Sequence, residues 1–139
     1  MELNAALDFA RNLRNGVLVT TRRDGRPQLS NITFVVEENG LIAISVTASR
    51  AKTANARRDP RVSMHVTAPD FWAYIVIDGQ AELTAAAVEP QDDTVEQLVS
   101  YYRTLRGEHP DWDEYRSAMV SEARLMLRIR PERAYGILR

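Results

Sequence analysis

The sequence predicts an α+β fold, mainly antiparallel β, curled into a small closed or nearly closed barrel with helices at its flank. β-Branched runs are separated by tight-turn dipeptides, with Asp24-Gly25 and Asn39-Gly40 the clearest, and these are hairpin signals. Helical periodicity is confined to the front, to a short middle stretch and to a late pair. A chain of 139 residues, 45% hydrophobic and 27% charged, suits one domain over 1–139 that buries about two thirds of its unfolded surface.

Leu3, Ala6, Leu7, Ala10 and Leu13 recur at spacings of three and four, which predicts a helix over 3–14 capped near Asn4 and stopped before Gly16. Val17 to Thr21 is a β-branched strand that ends in the Asp24-Gly25 turn. Pro27 opens a second strand running through 28–37 to Asn39-Gly40, and a third follows from Leu41 to Val46, completing a three-stranded meander. Residues 51–58 form a short helix stopped by Asp59-Pro60, because the residue before a proline leaves the α region. Arg61 to Thr67 alternates as a strand. Phe71 to Ile77 reads as another, which Asp78-Gly79 turns into Gln80 to Thr84. A helix starts at Asp92, Asp93 or Thr94 and runs through Tyr102 to a stop at Gly107. Trp112, Tyr115, Met119 and Val120 keep helical spacing. Arg124 to Ile129 is a last long strand before Pro131, with a short one over 133–139.

Composition excludes much. With no cysteine there is no disulfide and no thiolate chemistry, and the two separated histidines, His65 and His109, argue against a metal centre. No apolar run approaches the roughly 18 residues of a membrane span, and no signal-peptide pattern opens the chain, so the expected location is cytoplasmic. The net charge of −1 gives no field that would draw the chain to nucleic acid. Residues 1–70 nevertheless hold ten basic against seven acidic side chains, whereas 71–139 hold eight against twelve. Seventeen of the 18 basic residues are arginine, and Lys52 is the single lysine.

That lysine lies in Ser49-Arg50-Ala51-Lys52-Thr53-Ala54-Asn55-Ala56-Arg57-Arg58, at a strand-to-helix junction. A first helical turn, the Ser49 and Thr53 hydroxyls, and two cations of different shape suit a phosphate. The alternative is a solvated charged face. A second group, Gln28, Ser30 and Asn31, lies on one strand; Gln28, Ser30 and with them Thr33 are expected off the apolar face and Asn31 on the other, where they either bond a heteroaromatic edge or face water. Trp72 and Tyr74, two apart, share a strand face as a cofactor wall, a subunit interface or core packing. The carboxylates Asp92-Asp93 and Asp111-Trp112-Asp113-Glu114 are read as helix caps, and neither histidine is given a catalytic role. With no nucleophile elbow or phosphate loop, a bound organic cofactor would have to carry the chemistry.

Asp24-Gly25-Arg26-Pro27-Gln28-Leu29-Ser30-Asn31, Arg50-Ala51-Lys52-Thr53-Ala54-Asn55 and Gly107-Glu108-His109-Pro110-Asp111-Trp112 resemble the split β-barrel flavin and deazaflavin proteins related to pyridoxamine 5′-phosphate oxidase. The likeness extends from there to Ala134-Tyr135-Gly136. It is similar to the actinobacterial branch that uses coenzyme F420, and the arginine bias agrees with a GC-rich genome. The resemblance implies a six-stranded split barrel of the FMN-binding type, a homodimer with cofactor sites between subunits, and hydride transfer from reduced deazaflavin to a small organic acceptor. It implies that Arg50 and Lys52 hold the cofactor phosphate with Asn55 nearby, that Gln28, Ser30 and Asn31 line the ring, and that Trp72 and Tyr74 close the pocket. Relatives often carry Lys-His where this chain has Arg22-Arg23, so Arg23 bears on contacts to the acidic cofactor tail. Only three residues follow Gly136, and the basic C-terminal segment of the pyridoxamine oxidases is missing, which weighs against vitamin B6 oxidation. The alternatives are an FMN enzyme on the same barrel and a cofactor-binding protein without turnover.

Overall fold

The computed structural model describes residues Met1–Arg139. Four helices, α1 (Leu3–Arg11), α2 (Ala51–Arg58), α3 (Asp93–Arg106) and α4 (Trp112–Ser121), flank seven strands. These are β1 (Asn15–Thr21), β2 (Pro27–Thr33), β3 (Val35–Val36), β4 (Ile42–Thr47), β5 (Arg61–Thr67), β6 (Tyr74–Leu83) and β7 (Arg124–Ile137). They form one antiparallel sheet in the order β2-β1-β5-β6-β7-β4-β3. The sheet curls until β2 comes near β4, with no ladder joining those two strands, consistent with the split barrel. The strand count is seven rather than the expected six.

Both leading turn dipeptides hold. Gly25 (φ 87°) joins β1 to β2, and Gly40 (φ 86°) joins β3 to β4, each in the left-handed region that only glycine enters freely. The expected meander does not form, because the second strand breaks at Phe34. There the buried ring turns into the core and the Phe34 N–H donates to the Arg14 carbonyl. The two hairpins therefore lie at opposite edges of the sheet. The first helix is also shorter than expected, ending at Arg11, and Glu2 occupies its N-cap without a side-chain bond while Asn4 is already helical.

Asp78-Gly79 is not a turn. Residues 74–83 make one strand, and the anomaly lies in its partner β7, where Asp78 pairs Arg133 and Gly79 pairs Pro131. Glu132 is left over as a bulge. Pro131 has no N–H to give a ladder, so a bulge is where a strand can carry it, and β7 runs unbroken to Ile137 instead of stopping at the proline.

The inward faces meet in a core that includes Leu18, Phe34, Ile44, Met64, Ile77 and Leu127. On the other side of β4 and β7, Ala43 and Met126 pack against Val95, Leu98 and Tyr115 of the α3–α4 pair. Asp92 fixes where α3 starts, as its carboxylate accepts from the Val95 N–H at 2.8 Å and from the Val88 and Glu89 N–H groups at 2.9 and 3.1 Å. Those bonds, with Val88 first, hold the carboxyl below its usual range. A carboxyl lowered in the folded state stabilises above its unfolded pKa, and that contribution is lost as pH falls through the lowered value. Asp92→Ala is expected to cost about 1–2 kcal/mol at neutral pH, with a smaller difference from wild type in acid; urea denaturation at both pH values checks it. No helix is long and apolar enough to cross a membrane.

Candidate functional site

Register decides which polar side chains meet. Asn31 pairs Val17, Val17 pairs His65 and His65 pairs Val76, so these four form a row across the outer face of β2, β1, β5 and β6. Asn31, Thr33, His65 and Thr67 line one side of a groove of about 680 Å³; Ser45 of β4, Lys52 of α2 and Arg124 of β7 line the other. Its size lies within the usual range for small-molecule sites. No carboxylate lines it. The Tyr74 ring stacks on His65 at 5.6 Å, at one margin.

Lys52 is half-buried, and its ammonium is held below the ordinary lysine range first by burial, then by the charges of Arg50 and Arg124. Two cations thus line a groove without an acid in its lining, and a third charge, Arg50, acts on Lys52. A bound anion would relieve their mutual repulsion, which is the chemistry expected of a phosphate site. Arg50, the exposed N-cap residue of α2, is not in the lining and acts on Lys52 through its charge.

The rest of the α2 cluster faces elsewhere. The Asn55 amide is buried, donating to the Thr20 hydroxyl at 3.2 Å and accepting from Arg58 at 2.9 Å. Thr53 is buried too, its hydroxyl spent on the Thr47 carbonyl at 2.7 Å, so it is no anion donor. Arg23, Gln28 and Asn55 line a second groove of about 830 Å³ on the other side of α2, with Arg22, Asp24, Arg57 and Arg58.

Gln28 and Ser30 pair with Thr20 and Leu18, both buried, and share the parity of buried Ile32. They therefore lie on the inner face and Asn31 on the outer one, which reverses the expectation for all three. Polar residues serve there because β2 is a sheet edge beside α2. Trp72 and Tyr74 do not share a strand face either, because β6 begins at Tyr74. Trp72 lies in the preceding bend, 70% exposed, with the Arg139 guanidinium 6.0 Å above its ring.

Another groove, of about 730 Å³, lies at the opposite end of the outer face around Ser63, Asp78 and Arg133. Two carboxylates, Asp78 and Glu132, line it, and Asp78 already pairs with Arg133 at 2.9 Å. It offers a phosphate less than the Lys52 groove does. Sequence reasoning missed Ser45, His65, Thr67 and Arg124 as groove residues. Alternation in β5 signals that His65 and Thr67 point outward, but only the tertiary fold makes that surface concave.

A curled antiparallel sheet flanked by helices, its β2 and β4 close but not joined by a ladder, defines the class as a split-barrel protein. The pyridoxamine 5′-phosphate oxidase family model matches residues 4–138, and the chain belongs to that family. Among solved structures it is similar to the conserved hypothetical protein Rv2991 from Mycobacterium tuberculosis, at 26% identity over 98% of this chain and 84% of that one, with a TM-score of 0.75. An F420 reductase matches at 24% identity over 88% and 89% of the two chains, with a TM-score of 0.66. A heme-binding protein from Mycobacterium smegmatis matches at 21% identity over 97% of this chain but 53% of its own length, also with a TM-score of 0.66.

Proposed function

We propose that this chain is an F420-dependent oxidoreductase, its cofactor phosphate held at the Lys52 end of the groove. The observation that carries the reading is that Lys52 and Arg124 line a groove with no carboxylate in its lining, with the charge of Arg50 acting on Lys52 beside them. When bound, the reduced deazaflavin supplies a hydride to an activated double bond or other electrophilic acceptor. Lys52 and Arg50 neutralise and orient the phosphate. Asn31 and the β2 backbone present hydrogen-bonding groups along the groove wall, and correct positioning of this kind is worth several kcal/mol, on the order of 7 to 11 in favourable cases.

The partner we infer is a second copy of this chain. The outer face carries exposed Leu29, Tyr135 and Ile137 around half-buried Val17, Val19 and Val76, an apolar surface suited to burial between two subunits. With Trp72 and Tyr74 at its margin, such an interface would close the groove. A monomer in sedimentation at assay concentration would remove this part of the reading.

FMN presents a comparable ring and phosphate, so the test sets the two cofactors against each other. Purified protein is titrated with F420 and with FMN by calorimetry, then both titrations are repeated on Lys52→Ala. Lys52 has no acceptor or carboxylate among the groups that shift it, so its removal should leave folding intact and weaken cofactor binding by about 1–3 kcal/mol, or roughly 5- to 150-fold. F420 bound tightly and FMN poorly is the expected result. FMN bound in preference transfers the proposal to a flavoenzyme, and binding of neither rejects a cofactor role.

A further inference from the structure

The second cation in the groove lining comes from a distant part of the chain. α4 ends at Ser121, and Ala123, at φ 50°, takes the left-handed conformation that a residue with a side chain rarely adopts. The turn is tied down from the segments that follow its two neighbouring strands, where the Ala48 N–H donates to the Ala123 carbonyl at 3.0 Å and the Ala87 N–H to the Arg124 carbonyl at 2.8 Å. Arg124 then opens β7 opposite Thr47, the last residue of β4, three positions before Arg50. Register and turn together bring its guanidinium into the lining of the groove that holds Lys52 and Ser45.

Its single acidic partner leaves capacity over. Glu122 Oε1 takes Nε and Nη2 of Arg124, both at 3.0 Å. A guanidinium has five N–H donors, so three remain, and Glu122 acts as a brace that fixes the plane of the group. Resting on the phosphate reading above, we propose that Arg124 is a phosphate-binding residue, a third cation that the α4–β7 turn sets against Arg50 and Lys52. A purely structural role, in which the Arg124–Glu122 pair only locks the turn, makes different predictions.

The experiment titrates full-length wild type, Arg124→Ala and Glu122→Gln with inorganic pyrophosphate, FMN, F420 and riboflavin, the last having the ring of FMN without its phosphate. Arg124→Ala is expected to lose about tenfold or more in affinity for pyrophosphate and for whichever phosphorylated cofactor binds, with riboflavin unchanged. Glu122→Gln keeps the guanidinium and is expected to bind pyrophosphate at least as well as wild type. Circular dichroism and urea denaturation confirm that both variants fold. Phosphate ligands bound by Arg124→Ala within twofold of wild type, or a riboflavin loss equal to the FMN loss, would overturn the assignment. If wild type binds neither cofactor, the oxidoreductase reading fails alone; pyrophosphate still decides, since its loss in Arg124→Ala supports the phosphate role and its failure to bind wild type refutes it.

Discussion

Gly79→Ala is expected to destabilise the protein by about 3 kcal/mol or more, a loss that leaves a domain of ordinary stability barely folded. Gly79 is buried in β6, between β5 and β7. A Cβ at this position would stand 2.3 Å from the Arg130 carbonyl oxygen and 2.9 Å from Ile129 Cγ2. The carbonyl is backbone in the longest ladder of the sheet, next to the bulge that accommodates Pro131, so neither strand can yield without breaking paired residues on both sides. Gly25→Ala is the matched control. Its φ of +87° strains any side chain, yet nothing lies within 4 Å of the new Cβ, and the cost should stay near 1–2 kcal/mol. Urea denaturation of both variants reads the difference. Equal losses would mean that conformational strain, and not the close approach of β7, governs Gly79.

The same pair of glycines explains how far the fold could be read from sequence. Asp24-Gly25 and Asp78-Gly79 are the same dipeptide, and local turn chemistry treats them alike. What separates them is 52 residues away: Pro131 requires a bulge on β7, and glycine at position 79 lets that bulge approach. Helix α2 and strand β5 were legible to the residue, because a proline and a clean alternation bound them locally. The break at Phe34 was not, since the reason to change partners lies in a core built by other strands. The candidate site divides in the same way. Arg50 and Lys52 are two apart and announce themselves as a pair, whereas Arg124 joins them only through the β4–β7 register. Gln28 and Ser30 were assigned to the wrong face because polarity was taken for solvent exposure, and a sheet edge beside α2 accommodates polar groups on its inner side.

Removing Arg50 and Lys52 together is expected to weaken binding of the phosphorylated cofactor by about 10²- to 10⁴-fold at neutral pH, the combined effect of two charge-assisted contacts. Riboflavin, tested by the same calorimetry, should be indifferent to the change. The two residues are coupled through protonation, and this gives the prediction its internal control. An anion binds the protonated form of Lys52, so binding takes up a proton wherever the free lysine is partly neutral, and affinity must fall as pH rises through its pKa. Burial, Arg50 and Arg124 place that pKa below the ordinary 10.5, so the fall begins at a lower pH than for a free lysine. Arg50→Ala removes one of the two repelling charges, and the fall should then move to higher pH; in Lys52→Ala it should vanish. The other titratable groups lining the groove are Arg124 and His65, and the Lys52→Ala profile reports whatever they contribute. Phosphate affinity in the double variant within about fivefold of wild type, or a pH profile that is the same with and without Lys52, would place the phosphate elsewhere, and the second basic groove across α2 would be the next candidate.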